Sequence, residues 1–278
     1  MKKREIKRRT SAVGAGYKGV FERREKKYLL SKAQYLALRA RLDEFMEVDA
    51  FGKSTILNIY YDTPDYHLIR RSIEKPVYKE KLRLRCYGIP EEDGTAFLEL
   101  KKKMKKVVYK RRVAMPYTQA VRFLKEMDPK ACRSQIEREL VYCGKLYKDL
   151  APRMVIAYDR IAMAGKQDPE LRITFDTNLR WRDSDLDLRH GGYGRQLLEE
   201  GQVLMEVKIQ GAMSLELARI FSELAIFPTS FSKYGNAYRV WLKENVGSRC
   251  SPYAVRSGSL HEAAASSLFR HDLAGVPA

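Results

Sequence analysis

Histidine, tryptophan and cysteine are scarce in this chain, acidic residues are outnumbered, and no long apolar run occurs. There are four His and two Trp in 278 residues. His67, His190, His261 and His271 are scattered, so a histidine-built metal or acid–base centre has no cluster to start from. Cys86, Cys132, Cys143 and Cys250 form no CxxC and have no His at ligand spacing. That argues against a zinc site or a disulfide framework and for reduced thiols in a cytosolic protein. No apolar stretch approaches the ~20 residues of a membrane-spanning helix. The N-terminus MKKREIKRRT is basic but has no apolar core, so it does not read as a secretory signal. The expected location is cytoplasmic, with membrane proteins among the associates it could have.

Asp and Glu total 35 against 53 Lys and Arg, a formal charge of +18 that calls for an anionic partner. Nucleic acid, an anionic membrane and a phosphorylated molecule all qualify. The 17 Tyr do not interleave with basic residues as in an RNA-recognition motif, so nucleic acid is not the expected partner. Trp181 and Trp241 read as core or rim residues.

What the chain does have is alternation. Lys79, Lys81, Arg83 and Arg85 alternate with Leu82 and Leu84 in KEKLRLR. Arg172, Thr174 and Asp176 alternate with Leu171, Ile173 and Phe175, and Glu206, Lys208 and Gln210 alternate with Met205, Val207 and Ile209. Residues two apart share one face of a strand, so each segment has an apolar face and a charged one. Glu25/Lys27, Glu99/Lys101 and Glu206/Lys208 repeat a Glu-x-Lys pair in three such segments. One pair alone reads equally well as a solvated sheet face. Repeated over many strands it predicts a charged cavity, which is costly unless the charges are paired or hold a ligand.

The pattern divides the chain into a flexible basic arm over 1–20, a main domain over 21–246 and a mobile tail over 247–278. The lone GAG in the arm follows no hydrophobic strand and is weak evidence for a dinucleotide loop. FERREKKYLL reads as a strand, and Ser31 with Gln34 forms a capping box for a helix running to about Val48, with Phe45 and Met46 on it. STILNIYYD, KEKLRLRCYG, FLELKKK, VVYKRRVAM, MVIAYDRIAM, LRITFDTNLRW and VLMEVKIQG read as strands joined by turns such as PEEDG and GKQDPE. Helices are expected over 118–147 with a break at Pro129, and over 214–226 and 232–244. Strands in a meander with helical insertions predict an α+β fold around a closed antiparallel sheet.

A triphosphate carries several negative charges, which Arg binds as a fork and Lys as a point charge. Carboxylates among such cations make sense if they hold Mg²⁺ or Mn²⁺, which bridge carboxylate and phosphoryl oxygens.

Phe21-Glu22-Arg23 through Lys27-Tyr28, Tyr60-Tyr61-Asp62-Thr63-Pro64, Leu82-Arg83-Leu84-Arg85-Cys86-Tyr87 and Glu99-Leu100-Lys101 come first. Tyr158-Asp159-Arg160, Arg172 to Asp176, Leu204 to Lys208 and Phe231-Ser232-Lys233-Tyr234 follow. In that order they resemble the VTC domain, the polyphosphate polymerase domain of the vacuolar transporter chaperone family. It belongs to the triphosphate tunnel metalloenzyme (CYTH-like) superfamily, and the resemblance runs from about residue 20 to 245. It implies a closed tunnel of eight antiparallel strands with helices outside. It also implies an ATP-dependent polymerase that moves the γ-phosphate of ATP onto inorganic polyphosphate with Mn²⁺ or Mg²⁺. By motif, Lys27, Arg83, Arg85, Lys101, Arg160, Arg172 and Lys208 would be catalytic. The same residues with Lys110 and Lys233 would bind phosphate, and Glu206 would hold the metal, with Glu25 and Glu99 as further candidates. Arg23 stands where the superfamily signature Glu-x-Glu-x-Lys has its first Glu, which disfavours two-metal hydrolysis. A tunnel triphosphatase and a noncatalytic polyanion-binding module are the alternatives.

Overall fold

The computed structural model describes residues 23–105 and 107–247. The expected arm over 1–20, and the expected tail apart from its first residue, lie outside the described residues. Eight long strands carry the architecture: β1 (Arg23–Leu30), β2 (Met46–Asp62), β3 (Tyr78–Tyr87), β4 (Thr95–Met104), β5 (Val107–Pro116), β6 (Ala151–Gly165), β7 (Arg172–Arg182) and β9 (Val203–Gln210). Two strands of two residues each, β8 (Arg195–Gln196) and β10 (Pro228–Thr229), complete a ten-stranded antiparallel sheet. Its order is β10-β1-β9-β7-β6-β2-β3-β4-β5, with β8 on β7.

This corrects the expected closed eight-stranded tunnel. The hydrogen-bonded path is open, because β5 pairs only with β4 among the described strands. The edge of β1 that closure would use is met by β10, which pairs Lys27 with Thr229 and Tyr28 with Pro228. Curvature still brings distant strands face to face. Lys101 of β4 acts electrostatically on Glu25 of β1 and Lys208 of β9, and Lys27 of β1 acts on Lys81 of β3.

The alternating strands put their apolar residues on the convex face. Leu57, Ile59, Leu82, Leu84, Leu98 and Leu100 are buried there with α3 (Tyr117–Glu126) and α4 (Gln135–Leu146). Tyr28, Leu30, Ile173, Phe175, Met205 and Val207 are buried in a second cluster with α1 (Lys32–Leu42) and α5 (Leu215–Glu223). Each fully buried Leu or Phe contributes about 1.5–3 kcal/mol, so the helices hold the strands from outside and leave the concave face to the charges.

Ser31 and Gln34 make the expected capping box, but α1 ends at Leu42. Met46, expected on that helix, begins β2, whose register shifts between Val48 and Lys53 around Gly52 at φ +57°. The short helix α2 (His67–Ile73) has no helical run long enough to announce it. Asp62 organises it: its carboxylate accepts from the backbone N–H groups of Thr63, Leu68 and Ile69, and from Tyr234 Oη at 2.9 Å. That last bond fixes the start of α6 (Lys233–Gly247), and Tyr234 stacks on Tyr60 with ring centres 4.5 Å apart. Gly192 in the loop after β7 lies where a Cβ would meet Leu57 Cδ2 at 2.8 Å. Close packing therefore accounts for that glycine. Chain packing separates Met1–Ala237 from Tyr238–Ala278; within the second unit Tyr238 stacks on Trp241. Every contact described below lies within the first. Among the described residues no helix is long and apolar enough to cross a membrane, and no disulfide joins Cys86, Cys132 and Cys143.

A candidate functional site on the concave face

Two neighbouring strands build the first part of the site. In the β1–β9 register Lys27 lies opposite Glu206 and Glu25 opposite Lys208. Directly opposed residues share a face, so the four alternate in sign like a checkerboard. Lys27 Nζ is 3.5 Å from an oxygen of each glutamate. On the next strands Arg160 of β6 grips Asp176 of β7 through Nε at 2.6 Å and a terminal nitrogen at 2.7 Å. Lys233 enters from the start of α6, pairing with Asp176 and donating to Glu206 Oε1 at 3.1 Å. Arg160 also lies 3.8 Å from Glu206 Oε2.

Burial pushes the Glu206 carboxyl up, yet Lys233, Lys27 and Arg160 outweigh it and hold the group well below the ordinary carboxylate range. Burial likewise lowers Lys233, but Asp176 and Glu206 reverse the sign and keep it charged. At Glu25, burial and Glu206 push up while Lys101 and Lys27 pull down, with a net lowering.

The second part spans β3, β4 and β5. Glu99 is 1% exposed at its side chain and receives Arg83 Nε at 2.6 Å, Arg112 Nε at 2.6 Å and Lys110 at 2.9 Å. Burial raises its pKa, but Arg83, Arg85 and Lys110 more than reverse that. Arg85 donates to Asn58 Oδ1 at 2.9 Å and to Tyr158 Oη at 3.2 Å, and Arg83 donates to Tyr60 Oη at 3.2 Å. Both guanidinium groups are thereby fixed before any ligand arrives.

Of the twelve residues singled out from the sequence, eleven lie on this one face and Lys233 reaches it from α6. Lys27, Arg160, Lys208, Lys233, Glu25 and Glu206 come together around β1 and β9, and Arg83, Arg85, Glu99 and Lys110 around β4. Arg172, opposite Lys208, and Lys101, opposite Lys110, are exposed. His67 and His190 are exposed too and take no part.

Sequence reasoning passed over Lys81 as a site residue, although it sits in the same alternation as Arg83 and Arg85. Its ammonium donates to Ser232 Oγ at 3.0 Å. Burial, followed by Lys101, Lys27, Lys79 and Arg83, pushes its pKa down to about 7. Asn58, Tyr60 and Tyr158 were missed because neutral residues leave no mark in a charge pattern. Asp176 was visible as part of an alternation and of the motif from Arg172 to Asp176, without a role, and its grip on Arg160 and Lys233 depends on the fold.

Among the described residues, no three His, Cys, Asp or Glu converge as a ready-made metal cluster. Glu99 is surrounded by cations and suits fixing arginines. Glu25 and Glu206 lie diagonally on the checkerboard. Two carboxylates with phosphate oxygens and water are a donor set that fits Mg²⁺ or Mn²⁺, which keep several waters and bind alongside substrate phosphates.

Solved structures that resemble the chain include candidate adenylate cyclases from Vibrio parahaemolyticus and Bacillus halodurans. The first is 15% identical with TM-score 0.46, covering 80% of this chain and 99% of its own. The second is 15% identical with TM-score 0.45, covering 75% and 92%. HpAC1 from Hippeastrum, described as having a dominant triphosphatase activity, is 16% identical with TM-score 0.45, covering 78% and 95%. No curated protein matches the chain. The VTC domain family model matches residues 22–242, which takes in every strand of the sheet and every charged residue of the concave face described above, and the chain therefore belongs to the VTC domain family.

Proposed function

We propose that the chain is a metal-dependent phosphotransferase that moves the γ-phosphoryl group of ATP onto a growing inorganic polyphosphate chain. The observation that carries this reading is the convergence of Lys and Arg from seven of the eight long strands on one concave face, with β2 adding Asn58 and Tyr60. A polyanion meets charge there from several directions, which no single basic strand could provide.

Phosphoryl transfer leaves the protein mainly positioning and charge neutralisation. A terminal oxygen of the polyphosphate chain forms the new P–O bond with the γ-phosphorus, and the bond to the bridging oxygen breaks, releasing ADP. Arg83 and Arg85, locked by Glu99, Tyr60, Asn58 and Tyr158, present donors to the equatorial oxygens without reorganising during the reaction. Lys27, Lys208 and Arg160 neutralise charge from the facing strands. Glu206 and Glu25 would hold the divalent ion, which supplies Lewis-acid neutralisation of phosphoryl oxygens when bound. Lys233 fixes Glu206 and Asp176 from behind. The supply of ATP suits a cytoplasmic location.

Purified protein incubated with ATP and Mn²⁺ is expected to make acid-stable polymer visible on a gel. Orthophosphate as the sole product would replace this reading with a triphosphatase, and unconsumed bound ATP would replace it with a polyanion-binding module.

Lys81 makes the site sensitive to pH. Because its pKa is lowered to about 7, it is charged below that value and neutral above it. Tripolyphosphate affinity is expected to be greatest below pH 7 and to fall as the pH rises through that window. Bound phosphate favours the charged ammonium, so binding near neutrality takes up a proton. In Lys81→Met this part of the pH dependence and the proton uptake should disappear in calorimetry. Identical pH slopes in variant and wild type would remove Lys81 from the site.

A further inference from the structure

We propose that the hairpin formed by β4 and β5 docks the protein onto an anionic lipid surface. Apolar side chains are exposed at its tip: Met104 is 52% exposed, Val107 54%, Val108 46% and Tyr109 54%, with Val77 at 65% and Tyr78 at 41% at the adjoining start of β3. Val77, next to Tyr78, and Val108, opposite Lys103, border the tip from the other face. The register makes Tyr78, Met104 and Val107 one row: Tyr78 lies opposite Met104 and Met104 opposite Val107. Those three share a face with Lys102 and Tyr109, on the side of the sheet away from Arg83, Lys101 and Lys110. The row therefore lies outside the surface proposed to hold phosphates.

The hairpin itself carries charge of one sign. Residues 101–112, KKKMKKVVYKRR, hold eight Lys or Arg and no acid. Some are engaged: Lys102 and Arg111 with Glu139, and Lys110 and Arg112 with Glu99. Lys75, Lys103 and Lys105 form no ion pair with any described residue, and Lys105 Nα donates to Val77 O at 2.7 Å, tying the turn to the patch. Phosphate chains would use the lysines but gain nothing from Met, Val and Tyr. An anionic bilayer uses both, taking cations at its headgroups and apolar side chains at the acyl boundary. Each lysine held near such a surface is worth about fivefold in affinity. The cationic strand β5 also discourages edge-to-edge pairing with another sheet.

The test is sedimentation of the full chain with vesicles of phosphatidylcholine plus phosphatidylglycerol, against phosphatidylcholine alone. The wild type is expected to bind the anionic vesicles and to be released by salt. The variant carrying Met104→Ser, Val107→Ser and Tyr109→Ser should bind about tenfold more weakly or worse, with ATP turnover in solution unchanged. A Val107→Trp variant should be quenched by brominated acyl chains. Equal vesicle binding by wild type and triple variant, with no quenching at position 107, would assign the contact to other basic surfaces and overturn the proposal. Absence of binding to either vesicle would also overturn it, leaving the patch to a protein partner.

Discussion

Glu206→Gln is expected to cut metal-dependent turnover by about a hundredfold or more. The substitution keeps the shape of the side chain and removes its charge. Glu206 is the carboxylate on which Lys27, Lys233 and Arg160 converge, and it lies across the checkerboard from Glu25. Neutralising it leaves one charged carboxylate for a divalent ion, so Mn²⁺ affinity should fall when read by electron paramagnetic resonance without turnover. Tripolyphosphate binding should survive or strengthen, since three cations lose an internal competitor. A variant that binds Mn²⁺ and turns over like the wild type would move the metal site away from Glu206, and Glu25 would be the next residue to replace.

The second large effect falls on stability. Glu99→Gln removes the counter-charge of Arg83, Lys110 and Arg112, with Arg85 4.0 Å away. Neutralising one partner of a buried ion pair costs about 3–5 kcal/mol, and less is expected here because Lys110 and Arg112 reach solvent and only Glu99 is fully buried. The variant should melt well below the wild type. Tripolyphosphate should restore more stability to the variant than it adds to the wild type, because its oxygens replace the missing carboxylate.

The pH dependence has a definite sign. The folded Glu99 carboxyl sits below its ordinary value, so its stabilisation is present above the ordinary glutamate range. It is lost as the pH falls through the lowered value, and the acid limb of the variant's stability curve should be flatter. Wild-type melting behaviour in Glu99→Gln, with and without tripolyphosphate, would contradict this account.

The alternation in KEKLRLR, LRITFD and MEVKIQ was enough to assign inner and outer faces, because side-chain direction in a strand has a period of two. A shift of one residue would have turned Leu82 and Leu84 into the cavity, and they are buried in the convex core. The resemblance named the VTC domain, and the family model matches residues 22–242. Local signals also marked the Ser31 cap and the break at Pro129. They failed where a segment had two readings. Phe45 and Met46 fit a helical spacing, yet the chain turns after Leu42 and Met46 starts a strand that β6 extends by pairing.

By itself, then, the sequence determined which residues face the charges and which face the helices, since that depends only on neighbours two positions apart. Tertiary structure alone decided whether the sheet closes. β10 occupies the edge of β1 that a closing strand needs, and Pro228 and Thr229 give no sign of it in sequence. It also decided the state of each charge. Lys81 and Arg83 look alike in the pattern, but Lys81 is half-buried among Lys101, Lys27 and Lys79, while Arg83 has Glu99. Desolvation and long-range Coulomb energy depend on which strands curvature brings opposite one another, and no local period encodes that distance.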